Sequence, residues 1–465
     1  MTGESPGGAD RQESTGATPE SNEADGAGEP VALAGGRRTL LDELTNPPPP
    51  PPPPPPAETA ERTPGIPVWS WFPVLVLLLL AFCGVQAVRP LPAPTLRLTA
   101  ASSHTFAGEW PSLPWPTEGQ AVLEAEGLGR IGASGAQRPV PIASVAKVMT
   151  AYVILRDHPI EEGGTGETVE VDRKAEEQYG SGLAAGESVV KVTAGQELSE
   201  YEALAAVMLP SANNVARLLA RWDAGSEAAF VEKMNAAARE LGMDDTTYTD
   251  PSGLEATTVS TASDQVRLGH AAMRIPVFAE LAAKTRYTDV NGDVQRNVNG
   301  LLGSGEVVGI KTGSSTKAGG NLLFAAVREV GGTEQLVVGA VLGQHKAPIL
   351  DTVLNRSGIL LESGLGALLS QPVVRKGEAV GYVDDGLGGH TEVVATQDVR
   401  AIGWSGLKVS VSLDAPRGGL PHAAPAGSPV GVLTVGGDGS AVRVPVALGG
   451  HLSSPSFGAK LTRLG

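Results

Sequence analysis

The chain has almost no cysteine: Cys83 stands alone among 465 residues. No intrachain disulfide can therefore form, and no cysteine-based metal cluster can be assembled. Aromatic residues are also scarce, with 6 Trp, 6 Tyr and 7 Phe against 60 Gly and 36 Pro, so the core must rest on Ala, Val and Leu. Positive charge is the minority sign: 35 Lys and Arg face 51 Asp and Glu, a formal net charge of −16. Phosphate recognition needs concentrated cations, so a nucleic-acid binder is disfavoured. None of the seven histidines stands in a His-x-x-x-His pair, so the metal-hydrolase pattern is missing and no metal or other cofactor is expected. No internal repeat is visible.

What is present begins with a polar, low-complexity stretch. Residues 1–62 are rich in Gly, Glu, Ser, Thr and Pro and cannot bury enough apolar surface to offset their ordering entropy, so they read as a disordered tail. The run 47–56 is unbroken proline. It predicts a polyproline II rod, either a stiff spacer or a docking site for a proline-recognition partner. From 63 to 88 no residue is charged, and the length matches a bilayer core. Trp69 and Trp71 stand at its leading edge, and Pro67 and Pro73 fall where a helix tolerates proline. The reading is a single-pass membrane anchor over 63–88, with a cleaved signal segment ending near Ala87 as the competing one. Arg37, Arg38 and Arg62 precede the span, and only Arg89 and Arg97 closely follow it. That bias favours a cytoplasmic tail and an external C-terminal part.

Residues 89–114 carry repeated prolines and read as a linker. From 115 the pattern becomes globular. Short strands are expected over 121–126 and 129–132, then helices including 144–155, 203–209 and 224–241, the second behind a capping box at Ser199 and Glu202. Short β-branched runs at 307–312, 322–327 and 335–342 read as adjacent antiparallel strands, closed by a helix over 351–369. Beyond 370 the texture is short strands separated by Gly, Asp and Pro, a small all-β module over 371–465. The reading is thus an α/β catalytic domain over 115–370 followed by that module.

Chemistry enters at Ser144 and Lys147, three residues apart at the start of an apolar run. On a helix such a pair shares one face, and free backbone N–H groups collect at that end. Desolvation among Val148, Met149 and Ala151 lowers the pKa of a lysine, which an amine needs before it can act as a base. The spacing alone means little, because it recurs at Ser188 and Lys191, Ser314 and Lys317, and Ser405 and Lys408. Two further motifs change its weight. Ser211-Ala-Asn213 is the sole Ser-x-Asn and Lys311-Thr312-Gly313 the sole Lys-Thr-Gly of the chain. Singly, Ser211 reads as a helix cap and Lys311 as an edge-strand charge.

In this order the three motifs resemble the serine D-alanyl-D-alanine carboxypeptidases, the low-molecular-mass penicillin-binding proteins of peptidase family S11. Residues 141–151, 230–235, 241–243, 251–254 and 376–381 look like the same family. The resemblance implies a β-lactamase/transpeptidase-like α/β fold, a sheet flanked by helices with a helical subdomain, followed by a β-rich C-terminal domain. It implies peptidoglycan stem peptides ending in D-Ala-D-Ala as substrate and β-lactam antibiotics as covalent ligands. Ser144 would be the nucleophile, Lys147 the base, and Ser211 the relay of a proton to the leaving group. Asn213 would hold the peptide, and Lys311 and Thr312 would meet its carboxylate. Gly313 would leave room along the strand, and backbone N–H groups of Ser144 and Ser314 would form an oxyanion hole. The chain departs from the family at Asn214, where Asp is frequent, and at His345 and Lys346, where an Arg is frequent. Its end carries no amphipathic helix, and the N-terminal span would take over anchoring. A serine β-lactamase is the nearest rival, but no Glu-x-x-Leu-Asn stands between Ser211 and Lys311. An inactive wall-binding scaffold is the other, opposed by the intact motif residues.

Overall fold

The computed structural model describes residues 67–303, 305–437 and 439–462. The tail 1–62, with its proline run 47–56, lies outside them. Chain contacts divide the protein into two units, Met1–Trp71 and Phe72–Gly465. In the first, Val68–Ser70 form a 3-10 turn. The helix α1, Trp71–Val88, follows. The 21-residue stretch Val68–Val88, with a mean hydropathy of 2.3 over its most apolar 18-residue window, is long and apolar enough to cross a membrane. Its leucines, Leu77 to Leu80, stand exposed, an arrangement that lipid accommodates and water does not.

Two short strands come next, β1 (Thr95–Leu98) and β2 (Ser103–Thr105). The α/β part opens with β3 (Gln120–Ala125) and β4 (Gly129–Ser134), the expected pair around a Gly turn. A helical block follows: α2 (Lys147–Asp157), α3 (Arg173–Ala185), α4 (Glu200–Met208), α5 (Asn213–Ala224), α6 (Glu227–Glu240), α7 (Ala262–Met273) and α8 (Pro276–Ala283). The capping box at α4 is formed, Ser199 and Glu202 each accepting from the other's backbone N–H. The meander β5 (Val307–Ser315), β6 (Gly319–Val330) and β7 (Thr333–Gln344) then leads into α9 (Ile349–Ala367).

These strands make an antiparallel sheet in the order β5-β6-β7-β3-β4. Side chains alternate across it, as the strand period of two demands. Val122, Leu323, Val338 and Ala340 enter a core shared with α2, α4, α5 and α7. Ala121, Leu123, Leu322, Phe324 and Val341 enter a second core closed by Val353, Leu360 and Leu365 of α9. With both faces covered, the central strands carry long apolar runs, 322–327 and 336–342. The helix α2 is largely enclosed: eight of its eleven residues are buried, Lys147 and Thr150 among them.

The C-terminal part holds β8 (Leu369–Val374), β9 (Ala379–Asp384), β10 (His390–Ala395), β11 (Val399–Gly403), β12 (Lys408–Asp414), β13 (Pro429–Val435) and β14 (Val442–Leu448). β8 pairs with β11, and the others form a seven-stranded sheet in the order β1-β9-β10-β14-β13-β12-β2. Its two outer strands come from the segment expected to be a linker: Leu96 pairs with Val383 and His104 with Val409. Strands of four and three residues are too short to display a period, and what stabilises them is the unpaired backbone of a distant edge. Phe106, just beyond β2, is 1% exposed in the β-domain core. Trp110 then meets Trp404 edge to face at 5.6 Å and donates from Nε1 to the carbonyl of Ile131 at 2.8 Å, which ties the two parts together.

Candidate active site

β5 is the outer strand of its sheet. Against it lies a 3-10 turn, Ala143–Ala146, that runs directly into α2 at Lys147. Ser144 therefore sits on the turn rather than on the α-helix expected from its spacing. In 3-10 geometry positions i and i+3 eclipse, and Lys147 Nζ stands 2.9 Å from Ser144 Oγ. Ala143 holds φ at +48°, backbone strain of the kind that clusters at functional sites. The contact that holds it there is close: a Cβ at Gly253 would come within 1.9 Å of the Ala143 carbonyl oxygen.

Lys147 is fully buried. Besides Ser144 its Nζ donates to Asn213 Oδ1 at 2.6 Å and to the Ser252 carbonyl at 2.7 Å. Among the described residues no carboxylate hydrogen-bonds it. Burial above all, then the charge of Lys311, holds the amine well below the usual lysine range; Arg217 adds to this, while Asp250 and Glu187 oppose it. Neutralising a lysine whose charge is neither solvated nor paired is the cheapest response to burial.

The loop that supplies the Ser252 carbonyl is itself clamped. Asp250 accepts from the Ser252 backbone N–H at 3.1 Å, Ser252 Oγ at 2.6 Å, the Leu254 backbone N–H at 2.9 Å and Thr258 Oγ1 at 2.6 Å. Thr150, one turn along α2 from Lys147, donates to the Pro251 carbonyl at 2.6 Å.

Ser211 lies between α4 and α5 with φ at +69°. It is 4% exposed, and among the described residues no group hydrogen-bonds its Oγ. A buried, unpartnered hydroxyl in a strained backbone is poorly explained by packing. Asn213 opens α5, and its Nδ2 donates to Glu187 Oε2 at 2.9 Å. On β5, Lys311 is 1% exposed and among the described residues bonds only the Thr312 carbonyl, at 3.1 Å; burial pushes its amine down to about 7. Thr312 is buried and Ser314 exposed at the strand end. A Cβ on Gly313 would stand 2.8 Å from the backbone nitrogens of both Ser144 and Val145, so the strand meets the turn through a glycine.

The sequence pattern that defines peptidase S11, the D-alanyl-D-alanine carboxypeptidases, matches residues 119–344. Over 225 residues the chain is 30% identical to a D-alanyl-D-alanine carboxypeptidase of Streptomyces sp. strain K15, covering 44% of this chain and 73% of the relative. This protein belongs to the peptidase S11 family. It is also 31% identical over 212 residues to the D-alanyl-D-alanine carboxypeptidase DacC of Escherichia coli K12, covering 44% of this chain and 52% of the relative. The chain thus spans about half the length of that relative. In fold it is similar to a peptidoglycan synthesis regulatory factor from Streptococcus pneumoniae, at a TM-score of 0.54 and 22% identity over 73% of this chain and 99% of the other. Penicillin binding protein 5 from Haemophilus influenzae gives 0.51 and 21% over 73% and 98%.

Within this S11 chain the three competing Ser-x-x-Lys copies fall elsewhere: one in the loop after α3, one across the β5–β6 hairpin, one in the turn before β12. Asn214, the departure from the family pattern, brackets that first loop by accepting from the Val190 N–H at 3.1 Å and donating to its carbonyl at 2.8 Å. His345 and Lys346 are exposed. Three contributors to the site went unnoticed in the sequence reading: Glu187, Asp250 and the Ser252 carbonyl. Ser252 belongs to a stretch, 251–254, that resembles the family but showed no chemistry of its own, and Asp250 stands just before it. Glu187, in a Gly-rich connection, carried no signal.

Proposed function

We propose that this protein is a serine D-alanyl-D-alanine carboxypeptidase that removes the terminal D-alanine from peptidoglycan stem pentapeptides and is acylated by β-lactam antibiotics. The observation that carries the reading is the hydrogen-bond arithmetic at Lys147. A neutral amine has two N–H bonds and one lone pair, and the Asn213 amide oxygen and the Ser252 carbonyl can only accept. They use both N–H bonds. The lone pair is left facing the Ser144 hydroxyl, the geometry of a general base.

Ser144 Oγ attacks the carbonyl carbon of the D-Ala-D-Ala bond as its proton passes to Lys147. The oxyanion is met by the N–H groups of Ser144 and Ser314, each such donor worth about 3 kcal/mol. The C–N bond then breaks as Ser211 Oγ relays a proton to the departing amine, which fits a buried hydroxyl with no partner among the described residues. Water releases the acyl group and restores Ser144. Asn213 holds the peptide, Lys311 and Thr312 receive its carboxylate, and Gly313 lets the extended substrate run along the outer strand. Residues 63–88 serve as a retained anchor, with the tail cytoplasmic and the 115–370 catalytic domain and 371–465 β domain outside. Only residues 89–94 then separate α1 from the first strand of the β domain.

The test is release of free D-alanine from a pentapeptide ending in D-Ala-D-Ala, together with covalent labelling by fluorescent penicillin. Both are expected to vanish in Ser144→Ala. Rapid penicillin turnover would favour a β-lactamase, and intact labelling of that variant would reassign the nucleophile.

A further inference from the structure

The amide of Asn213 is held from two sides, and the two holds are not equivalent. Toward the core its Oδ1 accepts from Lys147; toward the groove its Nδ2 donates to Glu187. Either oxygen or nitrogen could face a neutral amine, because the amine can donate or accept. An ionised carboxylate can only accept. Glu187 therefore selects the orientation in which Nδ2 faces outward and Oδ1 faces Lys147. In the flipped amide an N–H would point at the Lys147 lone pair and occupy the electrons that Ser144 needs.

Glu187 is fixed well enough to impose this choice. Its loop is pinned at Ser188, whose carbonyl accepts from the Asn213 N–H at 2.8 Å, at Val190 through Asn214, and at Lys191, whose carbonyl accepts from Asn291 Nδ2 at 2.9 Å. We infer that Glu187 is a positioning residue for acylation: through Asn213 it aims the free lone pair of Lys147 at Ser144. The inference rests on the reading of Ser144 and Lys147 as nucleophile and base.

A structural prop would affect only the amount of folded enzyme. A charged positioning residue has a second signature, in pH. Four charges bear on Lys147: Lys311 on β5 and Arg217 on α5 disfavour its protonation, while Asp250 and Glu187 favour it. Removing the Glu187 charge leaves three, and Lys147 loses its proton at lower pH. Acylation needs the unprotonated amine, so the acid limb of the rate profile must move toward acid.

The experiment is the rate of covalent labelling of the full-length, detergent-solubilised protein by fluorescent penicillin from pH 5 to 10, for wild type, Glu187→Gln and Glu187→Asp, with thermal melting of each. Glu187→Gln is expected to lose on the order of tenfold in the plateau rate, because Gln tolerates either orientation of Asn213, and to shift its acid limb to lower pH. Glu187→Asp keeps the charge and is expected to keep the limb of wild type. A plateau within twofold of wild type, or a slower plateau with an unmoved limb, overturns the inference. Should Glu187→Gln fail to fold, Glu187→Ala carries the same two expectations. Labelling that survives Ser144→Ala, or fails in wild type, would instead overturn the reading of the site itself.

Discussion

A side-chain carbon at Gly313 would lie 2.8 Å from the backbone nitrogen of Ser144. The outer strand and the turn that carries Ser144 are in backbone contact. Gly313→Ala is expected to push the turn aside at a cost of about 1–3 kcal/mol, the usual penalty for overpacking. Because the displaced atoms include the proposed oxyanion donor, the Ser144 N–H, acylation by penicillin should slow more than that loss of stability explains. Stopped-flow labelling beside chemical denaturation checks both.

Lys311 gives a prediction in pH. Its folded-state amine titrates near 7, below the value of about 10.4 in an unfolded chain. Between those values the unfolded chain holds a proton that the folded one does not, so this group makes stability rise with pH. Below about 7 it contributes a constant penalty. Lys311→Met keeps the shape and removes the charge. It is expected to melt higher than wild type at pH 7, with the gap closing toward pH 10, and to lose D-alanine release. Melting curves across pH 6–10 decide it.

Asp250 accepts four hydrogen bonds within the loop that hands a carbonyl to Lys147. Asp250→Asn turns one acceptor into a donor facing donors, which is expected to cost about 1–3 kcal/mol. It also frees the Ser252 carbonyl from its place, so acylation should fall as well. Activity that survives at the wild-type rate despite the stability loss would show that the Ser252 contact is dispensable.

Phe106 separates the β domain from the chemistry. It fills the β-domain core, away from the turn at Ser144. Phe106→Ala is expected to destabilise the protein by about 3–5 kcal/mol while the penicillin acylation rate of the folded fraction stays within about twofold. Denaturation and labelling on one preparation test this together.

Much of the molecule was legible before any coordinates. The uncharged stretch 63–88, the strands at 121–126 and 307–342 and the capping box at Ser199 all rest on neighbours in sequence, where periodicity and hydrogen-bonding options are local. Two boundaries were not. Ser144 sits on a 3-10 turn against β5, and residues 95–98 and 103–105 are strands because two edges made roughly 280 to 310 residues later offer them partners.

The sequence by itself determined which residue types were available and in what order: Ser144 with Lys147, Ser211 with Asn213, Lys311 with Gly313. Only the tertiary structure decided their state. Lys147 holds its proton less tightly than an exposed lysine because the fold buries it and places Lys311 near it, and desolvation is a property of what surrounds a group, not of its spacing. The role proposed for Glu187 arises in the same way. A carboxylate in a Gly-rich loop carries no signal until the fold sets it against Asn213, the amide that faces Lys147.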